Sequence, residues 1–145
     1  MMAASGIEGG TARPGGDLPQ ASGLRVLVVE DDADSAVGLA DFLEALGHEV
    51  EVTANGPAAL AAAQNRQPDV VLLDIGLPGP DGWEVARQLQ GQPAAMRPLL
   101  VALTGRDREA DRQRSEAAGI DLHLAKPVDA GHLRWLLQRF QSVIR

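Results

Sequence analysis

Five polar residues stand where short apolar runs end: Glu30 and Asp31 after residues 24–29, Asp74 after 70–73, Thr104 after 99–103, and Lys126 after 121–125. Three carboxylates gathered in one crevice repel each other and call for a cation. All-oxygen ligation suits a hard ion such as Mg²⁺, which keeps several waters and favours phosphate-bearing partners. Such an ion would hold Asp74 ionised and screen its charge from an incoming phosphoryl group. Lys126 is a compact, mobile cation suited to a phosphoryl oxygen, and Thr104 offers a hydroxyl donor. Carboxylate nucleophile, metal, ammonium and hydroxyl are the parts that phosphoryl transfer uses, since it needs positioning and charge stabilisation above all. Lys126 is also the single lysine among 13 Lys and Arg residues. A lysine kept at that one place, just before Pro127, points to a site that requires an ammonium.

These residues can act together only if the fold gathers them. The run 24–29 is short and β-branched, and a helical spacing of apolar residues follows over about 34–46, closed by Gly47. Residues 48–53 alternate as a strand, and Asn55 is placed to cap an alanine-rich helix through Arg66. A buried-type strand, 70–73, ends at Asp74; a Gly/Pro-rich loop, 76–82, leads to a short helix over 83–89. The pattern repeats with strand 99–103, helix 107–118 stopped by Gly119, strand 121–125, and a last helix over 129–141 capped by Asp129. Five near-continuous apolar strands alternating with five helices predict a doubly wound α/β domain, with a five-stranded parallel sheet covered on both faces. In such sheets ligands bind beyond the carboxyl ends of the strands, at the switch point in strand order. That rule brings Glu30, Asp31, Asp74, Thr104 and Lys126 to one edge.

The 145 residues have room for one substantial core. A net charge of −7 gives no broad electrostatic footprint for nucleic acid or anionic lipid. The absence of cysteine removes disulfides, thiolate catalysis and cysteine-ligated metals. No apolar run approaches the ~18–20 residues that cross a bilayer, and residues 1–23 do not read as a secretory signal, so the cytoplasm is the expected location. Residues 1–23 hold six of the 16 glycines and few large apolar side chains, which predicts a flexible tail before a domain over 24–145.

The blocks Val29-Glu30-Asp31-Asp32, Leu73-Asp74-Ile75-Gly76-Leu77-Pro78, Asp81-Gly82, Ala102-Leu103-Thr104-Gly105 and Ala125-Lys126-Pro127 resemble, in order and at strand ends, the signatures of response regulator receiver domains. The resemblance covers about 24–141 and implies the flavodoxin-like (βα)5 receiver fold. It also implies roles: Asp74 as the aspartyl-phosphate site; Asp31 binding Mg²⁺ directly, Glu30 through water and Gly76 by its carbonyl. Lys126 would contact the phosphoryl group, across a cis bond to Pro127, and Thr104 would move toward it. The implied phosphoryl source is a phosphohistidine on a sensor histidine kinase or histidine phosphotransfer protein. A downstream protein would dock on the face made by helix 107–118, strand 121–125 and helix 129–141, with no nucleic-acid or membrane partner. The blocks 102–105 and 126–129 look like those of receivers attached to hybrid kinases, and a stand-alone receiver is the other expectation.

Two positions depart from the family's pattern. His123 stands where the aromatic switch residue is usual, and a polar imidazole makes a buried swing less favourable. Gly76, two after Asp74, brings no side chain, whereas Arg106, two after Thr104, could reach a phosphoryl group. Elsewhere Asp32 reads as a helix cap, His48 and His132 as surface residues, and Trp83 and Trp135 as packing residues. A hydrolase of the haloacid-dehalogenase type would share the nucleophile, metal, hydroxyl and lysine. It would need a second aspartate two residues after the first, where this chain has Gly76. An EF-hand loop fails at Ser35, which stands where glycine is required, and a dinucleotide fold fails for want of a glycine-rich first turn. An unphosphorylated interaction module remains as a third reading, opposed by the full set of site residues.

Overall fold

The computed structural model describes residues 23–76, 82–91, 97–105 and 117–144. Among them, β1 (Arg25–Val29), β2 (Glu49–Thr53), β3 (Val70–Asp74), β4 (Leu99–Thr104) and β5 (Leu122–Ala125) form one sheet in the order β2-β1-β3-β4-β5. Every neighbouring pair is parallel. The helices are α1 (Ala33–Ala45), α2 (Gly56–Arg66), α3 (Gly82–Gln90) and α4 (Ala130–Ile144). The strand order turns back between β1 and β3, so a switch point opens beyond the ends of those two strands.

Strand periodicity sorts the core into two layers. Leu27 and Val29 of β1, Val71 and Leu73 of β3, and Leu100 and Ala102 of β4 face Ala59, Ala62, Trp83 and Leu89 of α2 and α3. Val26, Val28, Val70, Leu72, Val101 and Leu103 point the other way, onto Leu43 of α1 and Leu133, Leu136 and Leu137 of α4. Every residue of β3 is buried, as expected of a central parallel strand, while edge strands β2 and β5 are mostly exposed or half-buried.

The expected caps form. Asn55 Oδ1 accepts from Ala58 N at 2.9 Å, and Asp129 Oδ1 accepts from His132 N at 2.9 Å. The last helix runs three residues past its expected end at 141, reaching Ile144, because Phe140 still packs partly onto the core. The expected helix at 107–118 lies, but for its last two residues, outside the described residues, as do 1–22 of the expected tail and most of loop 76–82.

Two surface readings are corrected. His48 is 9% exposed, not a surface residue: it follows α1 directly before β2, and its Nδ1 accepts from Leu24 N of the chain entering β1. Trp135 is 56% exposed rather than packed inside: it lies on the outer face of α4, its ring 6.2 Å from that of His132 and under the Arg139 guanidinium at 5.5 Å. Trp83 and His132 fall as expected, buried and exposed respectively. No described helix is long and apolar enough to cross a membrane.

Candidate functional site

The carboxyl ends of β1 and β3 flank the switch point, and each delivers an acid there. Glu30 follows β1 and is held by Glu30 N donating to Thr53 O of β2 at 3.0 Å; its side chain is 3% exposed. Asp74 closes β3 and is 6% exposed. Asp31, beside Glu30, faces solvent. One carboxylate oxygen from each of Glu30, Asp31 and Asp74 lies within 4.8 Å of the other two.

Lys126 arrives from the far end of the chain. Beyond β5, Lys126 N donates to Thr104 O at 2.8 Å, and the Lys126–Pro127 peptide bond is cis. Its Nζ lies 3.0 Å from Glu30 Oε1 and 3.1 Å from Asp74 Oδ2, one ammonium between two buried acids. The other oxygen of Asp74, Oδ1, accepts from Gly76 N at 2.9 Å, and Glu30 Oε2 accepts from Asp32 N at 3.2 Å.

Burial holds Glu30 above the ordinary carboxylate range, and the Asp74 carboxyl beside it pushes the same way, outweighing Lys126 and the Asp32 amide. For Lys126, partial removal from water would lower the pKa, but bonds to Glu30 and Asp74 outweigh it, so the ammonium is held above its ordinary value. Asp32 is lowered by the Ser35 hydroxyl and then by the Ser35 amide, in keeping with its expected role as the cap of α1.

Glu30, Asp31, Asp74 and Lys126 therefore meet, and Gly76 reaches Asp74 through its backbone. Thr104 ends β4, one residue past Leu103, which pairs with Asp74, and is half-buried. His123 is half-buried on β5, paired with Ala102 of β4. Arg106 lies outside the described residues. Sequence reasoning missed an apolar groove of about 570 Å³ between α1 and α4, opening beside Lys126 and lined by Ser35, Leu39, Phe42, Leu103, Val128 and Leu133. Such residues carry a helix or strand periodicity that reads as core, and only the spacing of the two helices reveals the gap.

A family model described as the response regulator receiver domain matches residues 26–138. The sensory transduction protein RegX3 of Mycobacterium tuberculosis is 38% identical over 120 residues, 83% of this chain and 50% of RegX3. The gliding motility regulatory protein of Myxococcus xanthus is 36% identical over 115 residues, 79% of this chain but 15% of that protein. The chain thus spans half the length, or much less, of these curated relatives. Among solved structures, the receiver domain of sensor histidine kinase PA1611 from Pseudomonas aeruginosa PAO1 superposes with a TM-score of 0.75 at 32% identity, covering 83% of this chain and 98% of that one; it carries a magnesium ion in its active-site cleft. Chemotaxis protein CheY4 of Vibrio cholerae gives 0.76 at 29% identity, covering 81% and 98%. With fold, strand order and family match agreeing across the same residues, this chain belongs to the response regulator receiver domain family of two-component signalling.

Proposed function

We propose that Asp74 accepts a phosphoryl group from a phosphohistidine, with Mg²⁺ bound at Glu30, Asp31, Asp74 and the Gly76 carbonyl. Receiver domains are signalling modules rather than classical enzymes, and the only reaction proposed here is the chain's own modification and its reversal. The observation that carries the reading is Lys126 Nζ, which bridges Asp74 and Glu30, the latter 96 positions away in sequence.

The donor set fits the ion. Oxygens bound to one Mg²⁺ at about 2.1 Å lie at most about 4.2 Å apart, so the Asp31 and Asp74 carboxylates, within 4.8 Å of each other, need only a small adjustment, and Glu30, within the same span, can reach the ion through a water. When bound, the ion neutralises the acids and the charge that develops on the phosphoryl oxygens. Asp74 supplies the nucleophile: as its oxygen forms a bond to phosphorus, the phosphorus–nitrogen bond of the donor breaks and the imidazole leaves. Lys126 contributes its ammonium to a phosphoryl oxygen, and Thr104 its hydroxyl. Attack of water on phosphorus later returns the carboxylate and inorganic phosphate.

The phosphohistidine is expected on a sensor histidine kinase or a phosphotransfer protein. The proposed output surface is the face of β5 and α4, with the helix expected over 107–118. On it Leu122 is 40% and Trp135 56% exposed, and α4 carries Arg134 and Arg139 with no acid. Thr104 and His123 are the proposed relay to that face. Residues 24–145 are the proposed folding unit for all of this.

Incubation with acetyl phosphate and Mg²⁺, followed by intact mass, is expected to add one phosphoryl group. Asp74→Ala or a chelator should abolish it, and labelling that survives in Asp74→Ala would refute the assignment.

A further inference from the structure

The two oxygens of Glu30 are gripped by different kinds of partner. Oε1 meets Lys126 Nζ at 3.0 Å, and Oε2 accepts from the backbone N–H of Asp32 at 3.2 Å. Lys126 is a flexible ammonium shared with Asp74, and a divalent cation drawn to the acids competes with it for both carboxylates. The Asp32 amide is main chain, a donor that a cation cannot displace by charge as it can an ammonium.

What keeps it there is a side-chain clasp. Asp32 is the N-cap of α1, with extended backbone (φ −82°, ψ 113°). Its Oδ2 accepts from Ser35 N at 3.0 Å and from the Ser35 hydroxyl at 2.6 Å. The clasp satisfies an orphan amide of the first turn and also fixes the peptide whose N–H reaches back to Glu30. Partners that orient a metal's ligands without touching the metal commonly matter about 10–100-fold in affinity.

We propose that Asp32 and Ser35 are positioning residues for the cation site: the Ser35 hydroxyl fixes Asp32, and the Asp32 amide holds the Glu30 carboxylate ready for a divalent ion. This rests on the reading of Glu30, Asp31 and Asp74 as a Mg²⁺ site. Ser35 lies in an exposed first turn, so replacing it leaves the core untouched.

The test is a calorimetric titration of the phosphoryl-free protein with Mg²⁺. Ser35→Ala is expected to weaken binding roughly tenfold, and Ser35→Thr, which keeps the hydroxyl, to restore it. Asn55→Ala removes the matching cap of α2, far from Glu30 in the chain, and should leave the affinity unchanged. Equal affinity in wild type and Ser35→Ala overturns the inference while the site reading stands. An equal loss in Asn55→Ala, or no rescue by Ser35→Thr, overturns it by tracing the effect to general stability or packing. Absence of Mg²⁺ binding in the wild type defeats the site reading itself, and the inference with it.

Discussion

His48 accepts a hydrogen bond from Leu24 N at Nδ1, 3.1 Å, in a setting that leaves it 9% exposed. An accepting Nδ1 must be unprotonated, and burial holds the pKa of His48 below its ordinary value. A histidine with a depressed folded pKa contributes stability that is whole above the ordinary range, about 6.5, and is lost as pH falls below it toward the folded value. Urea melts between pH 7.5 and pH 5 should show this loss, and His48→Gln should flatten that part of the profile; an unchanged slope would remove His48 as its cause. His48→Leu leaves the Leu24 amide without its acceptor, at a cost of about 1–3 kcal/mol. Nothing near position 48 announces this role, since the partner lies 24 positions upstream. Asp74, by contrast, could be picked out locally, because an acid ending a run of buried residues needs a partner, whereas Glu30 read alone passes for part of a solvated loop.

Among the elements, what propensity and pairing dictate was legible, and what close approach dictates was not. The caps at Asn55 and Asp129 and the buried strand 70–74 follow from residue type and periodicity. The docking of α3 does not. A Cβ built on Gly82, the first residue of that helix, would sit 2.9 Å from Ile75 Cα and 3.1 Å from Asp74 O, both backbone atoms of the segment that carries the proposed phosphoacceptor. Gly82→Ala must therefore lift α3 or shift Asp74. The expected cost is about 1–3 kcal/mol, with slower labelling by acetyl phosphate. Denaturation midpoints and initial labelling rates check both, and wild-type values in the variant would mean that α3 is not seated so tightly. Trp135 was misread for a related reason: an aromatic at helical spacing predicts a buried face, but α4 fills its inner face with Leu133, Leu136 and Leu137 and leaves Trp135 outside.

At the scale of the whole molecule, the alternation of strands and helices was enough to predict the doubly wound sheet, because a parallel sheet obliges its functional side chains to share one edge. The same edge concentrates negative charge in a chain of net charge −7. Relief of that repulsion by a bound cation would link its binding to folding. Mg²⁺ at 100 times its dissociation constant should add about 2.7 kcal/mol, seen as a rise of several degrees in melting temperature that a chelator reverses. A melting temperature indifferent to Mg²⁺ would count against the metal reading.

The distance along the chain between Glu30, Asp74 and Lys126 has a practical corollary. If the polypeptide is split between α3 and β4, the N-terminal piece keeps both buried acids and the C-terminal piece keeps the ammonium. On the proposed reading neither fragment holds a complete centre, so phosphoryl labelling of a mixture of the two is expected to report complementation, with no background from either half alone.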